Sequence, residues 1–353
     1  MRELNRATLA RQLLLERADL GAVEAVGRVM GLQAQEPRPP FLALWTRLAG
    51  FEADALATAI RDGDVVRATL MRATLHMFTR ADYAALRPVL QPGIGDALKV
   101  VGARAAGIEP AALATLARGL LADGPRTFDE IRAAIADEHP DLDHRVAGYA
   151  VRLNLPLTMV PTDDRWAFPR TARFALTDVD LDDAPPPAGL VRRYLAAFGP
   201  AAATDVQRWA GLKGLRFVLE GMKDELVTFK DERGRTLYDL PDAPRPPADA
   251  DAPPRFLPDF DQMLLAHDDR ARVIADAHRP VVVTKNLRVK AVVLVDGFAA
   301  GTWSITRKRK DATLTITPFD GLRRGLRKPL TEEGERLLAF AEPEATATKV
   351  EFA

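Results

Sequence analysis

Apolar residues return at helical spacing through the first part of the chain. Leu9, Leu13 and Leu14, followed by Val23, Val26 and Met30, predict two amphipathic helices of roughly 12 residues each. FLALWTRL and ADALATAIRDG extend the helical pattern. The period then shortens: VVRATLM (65–71) and ATLHMFT (73–79) are β-prone and flank a tight turn near Arg72. Several helices closed by a two-stranded ribbon outline a winged helix, a helix-turn-helix with an appended hairpin.

The outline recurs. AALATLARGLLADG predicts a helix, and GPRTFDEIRAAIADEH opens another with Thr127 three residues ahead of Glu130, the spacing of a capping box. DHRVAGYAVRLNL is a third helix, and LTMVPTDDRWAFP predicts a hairpin turning at Asp163-Asp164. GLVRRYLAAFG and GPAAATDVQRWAGL follow, the latter capped by Thr204 toward Gln207; after GLRFVLEGMKD, ELVTF and RTLYDL form a hairpin about DERG. The leads Gly124-Pro125 and Gly199-Pro200 lie 75 residues apart, a period that fits one winged helix. Three are predicted in tandem, over residues 1–90, 91–175 and 186–241.

PDAPRPPADADAPP holds six prolines and no large apolar side chain, which predicts an extended linker over residues 242–254. Beyond it RPVVVTK, VKAVVLVDG, FAAGTWSITR and ATLTITPF alternate around turns as strands. A helix, LTEEGERLLAFAE, and a short strand, ATKVEFA, complete the pattern. Residues 255–353 therefore predict a small antiparallel β-barrel or curled sheet with one helix, and the fold class is α+β.

Composition narrows the chemistry. The 353 residues are 47% hydrophobic, enough for two or more cored domains, and 49 Lys+Arg balance 49 Asp+Glu. A nucleic-acid partner would need a local basic face. Cysteine is absent, which excludes disulfides, thiolate metal sites and a cysteine nucleophile. The opening MRELNRATLARQLLLER is charged and amphipathic rather than leader-like, and no run approaches ~18 uninterrupted apolar residues. A soluble monomer of a reducing, bacterial-type cytosol, without membrane contact, is the expectation. P-loop, Rossmann, HExxH and GxSxG patterns are missing, and the five histidines (76, 139, 144, 267, 278) never take metal-ligand spacing. Neither metal nor cofactor is expected.

Two basic clusters stand out. Arg307, Lys308, Arg309 and Lys310 sit at a predicted hairpin tip, and Arg323, Arg324, Arg327 and Lys328 in a glycine-broken loop; with Asp311 and Asp320 the local net is +6. Such clusters suit the phosphates of double-stranded DNA, or else a solvated surface that guards a β-edge. The other notable stretch is QAQEPRPP, where Gln33 and Gln35 flank Ala34 at the predicted junction of a helix with three prolines. Gln is no general base, because its amide is neutral. Its carbonyl can still accept a hydrogen bond from water, which helps only where the leaving group departs easily. The plainer alternative is two exposed amides at a helix end.

QAQ at 33–35, RATLHMF at 72–78, FLPDFDQMLLAHDDRARV at 256–273 and VDGFAAGTW at 295–303 resemble the winged-helix DNA glycosylases of the AlkZ/YcaQ type. The resemblance runs over nearly the whole chain and implies three winged helices and a C-terminal β-barrel around a DNA channel. It implies a Gln-apolar-Gln catalytic motif, matched by Gln33 and Gln35 with Ala34 between them, in the AlkZ-like branch; the YcaQ branch has Asp in the last position. It also implies excision of alkylated purines, chiefly N7-alkylguanine, and for some members unhooking of interstrand crosslinks. Arg38, beside the motif, is expected to contact phosphate, and His76 either contacts phosphate, lines the site or is structural. His267, Asp268 and Arg270 are expected to form a fold-holding network, and Trp45 to be core rather than a base-stacking platform.

N7 alkylation makes guanine cationic, so the base can leave neutral without prior protonation. The enzyme then has only to place water and favour a positive sugar, which oriented amide dipoles can do. A monofunctional DNA glycosylase acting on alkylated duplex DNA is the first reading. The alternative is a non-catalytic winged-helix DNA-binding protein or transcriptional regulator. A small-molecule hydrolase lacks a nucleophile.

Overall fold

The computed structural model describes residues 1–183 and 185–353. Its first block comprises α1 (Arg2–Arg11), α2 (Ala22–Arg28), β1 (Leu32–Gln33), α3 (Arg38–Arg47), α4 (Ala53–Arg61), β2 (Val65–Thr69), β3 (Leu75–Thr79) and α5 (Arg80–Asp96). Leu56, Ala57 and Ile60 of α4 pack with Ala25 and Val26 of α2 and Phe41 and Leu44 of α3 in one core. The predicted helices and hairpin are present, but β1 is new. Met30 and Gly31 turn left-handed (φ 59° and 79°) and end α2, which lets Leu32 and Gln33 pair antiparallel with Met77 and His76. Only glycine fits at 31, because a Cβ there would lie 2.3 Å from the Phe78 ring. Pro39 and Pro40 begin α3, where their missing N–H groups cost nothing.

The second block contains α6 (Pro110–Ala122), β4 (Arg126–Thr127), α7 (Phe128–Glu138), α8 (His144–Asn154), β5 (Leu157–Met159) and β6 (Arg173–Leu176). Thr127 and Glu130 form the predicted capping box, with reciprocal bonds of 3.2 and 2.6 Å. The hairpin differs from prediction: β5 pairs with β6, and residues 160–172 make an irregular excursion instead of a return strand. Ala167 and Phe168 leave the ladder because they are buried against α3 in the first block's core. Ala68 of β2 pairs with Thr158 of β5, so both blocks share one six-stranded sheet ordered β1-β3-β2-β5-β6-β4.

The third block holds α9 (Ala188–Phe198), α10 (Ala203–Ala210), α11 (Leu215–Gly221) and the hairpin β7 (Val227–Lys230) with β8 (Thr236–Asp239). Asp205, not Thr204, caps α10; its carboxylate accepts from Ala202 N at 2.8 Å. The proline-rich connector carries no helix or strand and is tied to α1, whose Arg11 and Arg6 donate to Pro244 O and Ala250 O.

The last block contains β9 (Arg255–Leu257), α12 (Arg279–Val282), β10 (Val292–Val295), β11 (Phe298–Lys308), β12 (Asp311–Pro318), α13 (Arg327–Ala341) and β13 (Ala347–Phe352). The sheet runs β13-β12-β11-β10-β9 with β13 parallel to β12. It is neither all-antiparallel nor a closed barrel. Both faces are buried, so closure is not needed: Phe256, Val293, Leu314 and Ile316 pack under α13, while Leu257, Val292 and Leu294 pack with Leu9 and Leu14. RPVVVTK is a short helix instead of a strand, because Pro280 starts a helical turn and only Val283 makes a bridge, to Val289. Arg327 and Lys328 open α13 rather than lie in a loop.

Candidate active site

Gln33 ends β1, and Ala34 and Gln35 lead out of it into a bend. Ala34 is wholly buried in the first core, and its N–H extends the ladder by donating to Leu75 O at 2.7 Å. Gln33 keeps 8% exposure, whereas Gln35 is exposed. Arg72 donates to Gln33 Oε1 at 3.2 Å, and Leu75 N donates to Gln35 Oε1 at 2.9 Å. Each carbonyl oxygen thus holds one donor and keeps a second lone pair for water.

Two arginines hold the motif. Arg67, 3% exposed on β2, donates through Nε to Ala34 O at 2.9 Å and through Nη2 to Gln35 O at 3.1 Å. Its guanidinium lies 4.9 Å from the Phe168 ring centre. Arg72 also donates to Trp209 O at 2.7 Å, joining the motif to the end of α10. The turn that presents it is strained: Arg72 and Ala73 both sit left-handed, at φ 54° and 59°, which costs roughly 1–2 kcal/mol per non-glycine residue. Among the described residues neither arginine has a carboxylate partner. Burial, and then the charge of Arg152, lowers Arg67 to about 10. Burial, and then Arg270 and Arg208, lowers Arg72 to about 10. Both remain cations at neutral pH.

His76 lies directly across from Gln33 on β3 and is fully enclosed. Burial, followed by the charge of Arg72, lowers its pKa to about 3 against the opposing bond to Thr74. The ring is therefore neutral. Nδ1 lies 3.0 Å from Thr74 O, a group that only accepts, so Nδ1 carries the proton and Nε2 the lone pair. An enclosed neutral ring has neither charge nor surface for a phosphate, which corrects the expectation of a DNA contact. Arg38 lies beside the motif but is paired with Glu342 at 2.8 Å. Trp45 belongs to an aromatic cluster, stacked on Phe340 with 6.0 Å between ring centres. His267 is buried, with Nε2 3.0 Å from Phe198 O, and Asp268 pairs with Arg208 at 3.0 Å. Among the described residues no hydrogen bond joins His267, Asp268 and Arg270 to one another, so separate contacts to the third block replace the expected single network.

The basic clusters stay exposed but apart. Lys308, Arg309 and Lys310 occupy the tip between β11 and β12, while Arg307 reaches Glu342 and Glu344. Arg323, Arg324, Arg327 and Lys328 lie at the opposite end of α13, whose 15 residues span about 22 Å. Beside the motif a cleft of about 530 Å³ opens between α3 and the last sheet, lined by Glu36, Arg38, Asp259, Arg288, Lys290 and Thr302. Among the described residues, no three His, Asp or Glu side chains could hold a metal ion.

Sequence reasoning missed Arg67 and gave Arg72 no role beyond marking a turn. A charge inside the apolar run VVRAT was the available signal for Arg67, since a buried cation in a strand needs a partner nearby.

The sequence model of the family described as DNA glycosylase AlkZ-like matches residues 26–340. An interstrand DNA cross-link repair glycosylase of Streptomyces sahachiroi is 28% identical over 347 residues, covering 88% of each chain. The solved structure of Streptomyces sahachiroi DNA glycosylase AlkZ superposes with a TM-score of 0.82 at 23% identity, over 100% of this chain and 99% of that one.

Proposed function

The chain belongs to the AlkZ-like DNA glycosylase family, and from that premise we propose that it hydrolyses the N-glycosidic bond of N7-alkylguanine in duplex DNA, with water as nucleophile. We read its three helix-and-strand blocks as winged helices that hold the duplex. The anchoring of Gln33 and Gln35, each carbonyl oxygen holding one donor with a lone pair to spare, carries this reading. As the bond from C1′ to N9 breaks, its electrons neutralise the cationic base and the sugar becomes oxocarbenium-like. Water held by the two carbonyls adds to C1′ and releases a proton, leaving an abasic site and free base. The negative ends of the amide dipoles favour the growing sugar charge. A neutral His76 below them adds no opposing charge, and phosphates flanking the lesion offset Arg67 and Arg72. Unmodified guanine is spared because weak catalytic groups cannot expel it. The relative's role in interstrand DNA cross-link repair extends the proposed substrates to cross-linked duplexes.

Duplexes carrying single N7-methylguanine, a bulky N7 adduct or an N7 crosslink test this directly. Released base and abasic sites are expected, with no enzyme–DNA adduct trapped by borohydride. Trapping would overturn the water mechanism, and release from none of the three would leave a DNA-binding protein without glycosylase activity.

A further inference from the structure

Behind the motif strand lies a small cavity between the end of α1, β1, α3 and the segment that follows β9. Gln12, Gln33, Ala43, Arg47, Asp261 and Gln262 are among its lining residues, and about 10 Å³ is open to a water centre, room for one molecule. Two of its glutamines carry buried amide atoms with no hydrogen-bond partner among the described residues. Gln262, 2% exposed, leaves both Oε1 and Nε2 unbonded. Gln12, 1% exposed, leaves Oε1 unbonded while Nε2 donates to Val29 O and Ala197 O at 3.2 and 3.0 Å. An unsatisfied buried amide costs roughly 1–3 kcal/mol, a cost that methionine of similar size would avoid. The segment bearing Gln262 is also well fixed, since Asp261 forms a two-pronged buried ion pair with Arg47 at 2.8 and 2.9 Å.

We propose that this cavity is a binding site for one ordered water, and that through it Gln262 is a positioning residue for Gln33. The proposal rests on the reading of Gln33 as catalytic. Arg72 takes Gln33 Oε1, and the Nε2 hydrogens are the part of the amide left for the cavity. One water donates to Gln12 Oε1 and accepts from the N–H groups of the Gln262 and Gln33 amides, giving Gln12 Oε1 and Gln262 Nε2 the partner they otherwise lack. Gln33 is then held at both ends, by Arg72 on oxygen and by the water on nitrogen. Its carbonyl cannot flip away from the reacting sugar.

Single-turnover excision from an N7-methylguanine duplex, at saturating protein, tests the role of Gln262. Gln262→Met is expected to slow excision roughly 10-fold, as a slightly misplaced catalytic group does, with duplex Kd and melting temperature unchanged. Gln262→Asn, which retains an amide, recovers most of the rate; Gln12→Met, removing a different partner, reproduces the loss. A crystal structure of the full chain shows one water bonded to Gln12 and Gln262. A dry cavity overturns the proposal, as does full-rate Gln262→Met beside an inactive Gln33→Ala. Full-rate excision by Gln33→Ala overturns the catalytic reading instead, and the role of Gln262 with it.

Discussion

Arg11 and Arg67 are both nearly absent from the surface, at 2% and 3% exposure, yet they meet opposite partners. Arg11 forms a two-pronged pair with Asp239 at 2.7 and 2.8 Å, tying α1 to the third block. Arg47 does the same with Asp261 between α3 and the last block. Arg67 and Arg72, around the motif, are given only carbonyls. Arg11 and Arg47 therefore pair charge with charge, while Arg67 and Arg72 bond only dipoles, as do the buried Arg255 and Arg272 elsewhere in the chain. An uncompensated cation is expensive to enclose.

Arg11→Met should show the largest effect. It strands a buried carboxylate, for which about 3–5 kcal/mol is expected, toward the lower end because Arg245 still reaches Asp239 at 2.7 Å. Denaturant unfolding measures it, and an unchanged midpoint would mean that the pair is not a clamp. Next come Gln33→Ala and Gln35→Ala, each expected to slow single-turnover excision by 10–1000-fold. Gln35→Asp should keep appreciable rate, since a carboxylate also orients water. A double Ala variant at full rate would remove the motif from the chemistry. Arg67→Met inverts the Arg11 result: about 10–100-fold in excision rate through a displaced motif, with a stability loss smaller than that of Arg11→Met. Equal stability losses would erase the distinction between the two regions.

The neutral His76 gives a pH test. Its folded pKa of about 3 lies below the unfolded value of about 6.5, so the unfolded state binds the extra proton between them. Stability is fully present above pH 6.5 and falls as pH drops through that window, by up to about 1.4 kcal/mol per unit. His267, lowered in the same direction by burial, contributes alike. Removing His76 should flatten the slope of unfolding free energy against pH between 4 and 6; an unaltered slope would mean that the ring is charged in the folded protein.

Local signals were legible and non-local ones were not. Thr127 and Glu130 declared a capping box because the bond closes within one turn. The hairpins β2–β3, β7–β8 and β11–β12 were readable because their strands are adjacent in sequence. β1 was missed because a two-residue strand has no period, and it exists only by pairing with residues 76 and 77. RPVVVTK was misread because a short apolar run fits a strand or a buried helical turn equally. Gln33 and Gln35 stood out locally beside the prolines, but their assignment as a catalytic motif came from the resemblance. The cavity partner Gln262 lay unremarked inside FLPDFDQMLLAHDDRARV, because nothing in one sequence says which glutamines meet.

The same contrast between paired and unpaired charge extends to the surface and gives the smallest predicted effect. Lys308, Arg309 and Lys310 have no carboxylate within ion-pair distance among the described residues, whereas Arg307 reaches Glu342 and Glu344 at 3.4 and 3.5 Å. A cation already neutralised by protein releases fewer counterions when it meets phosphate. Replacing Lys308, Arg309 and Lys310 with Gln should reduce the slope of log K against log salt by up to about 0.9 per lost contact, for lesion-bearing and intact duplex alike. Arg307→Gln should change it less. The excision rate at saturating protein should barely respond, because phosphate contacts position the duplex without touching the reacting sugar. An unchanged slope in the triple variant would remove the hairpin tip from the DNA interface, and a larger change from Arg307 alone would show that pairing within the protein does not decide which cations meet DNA.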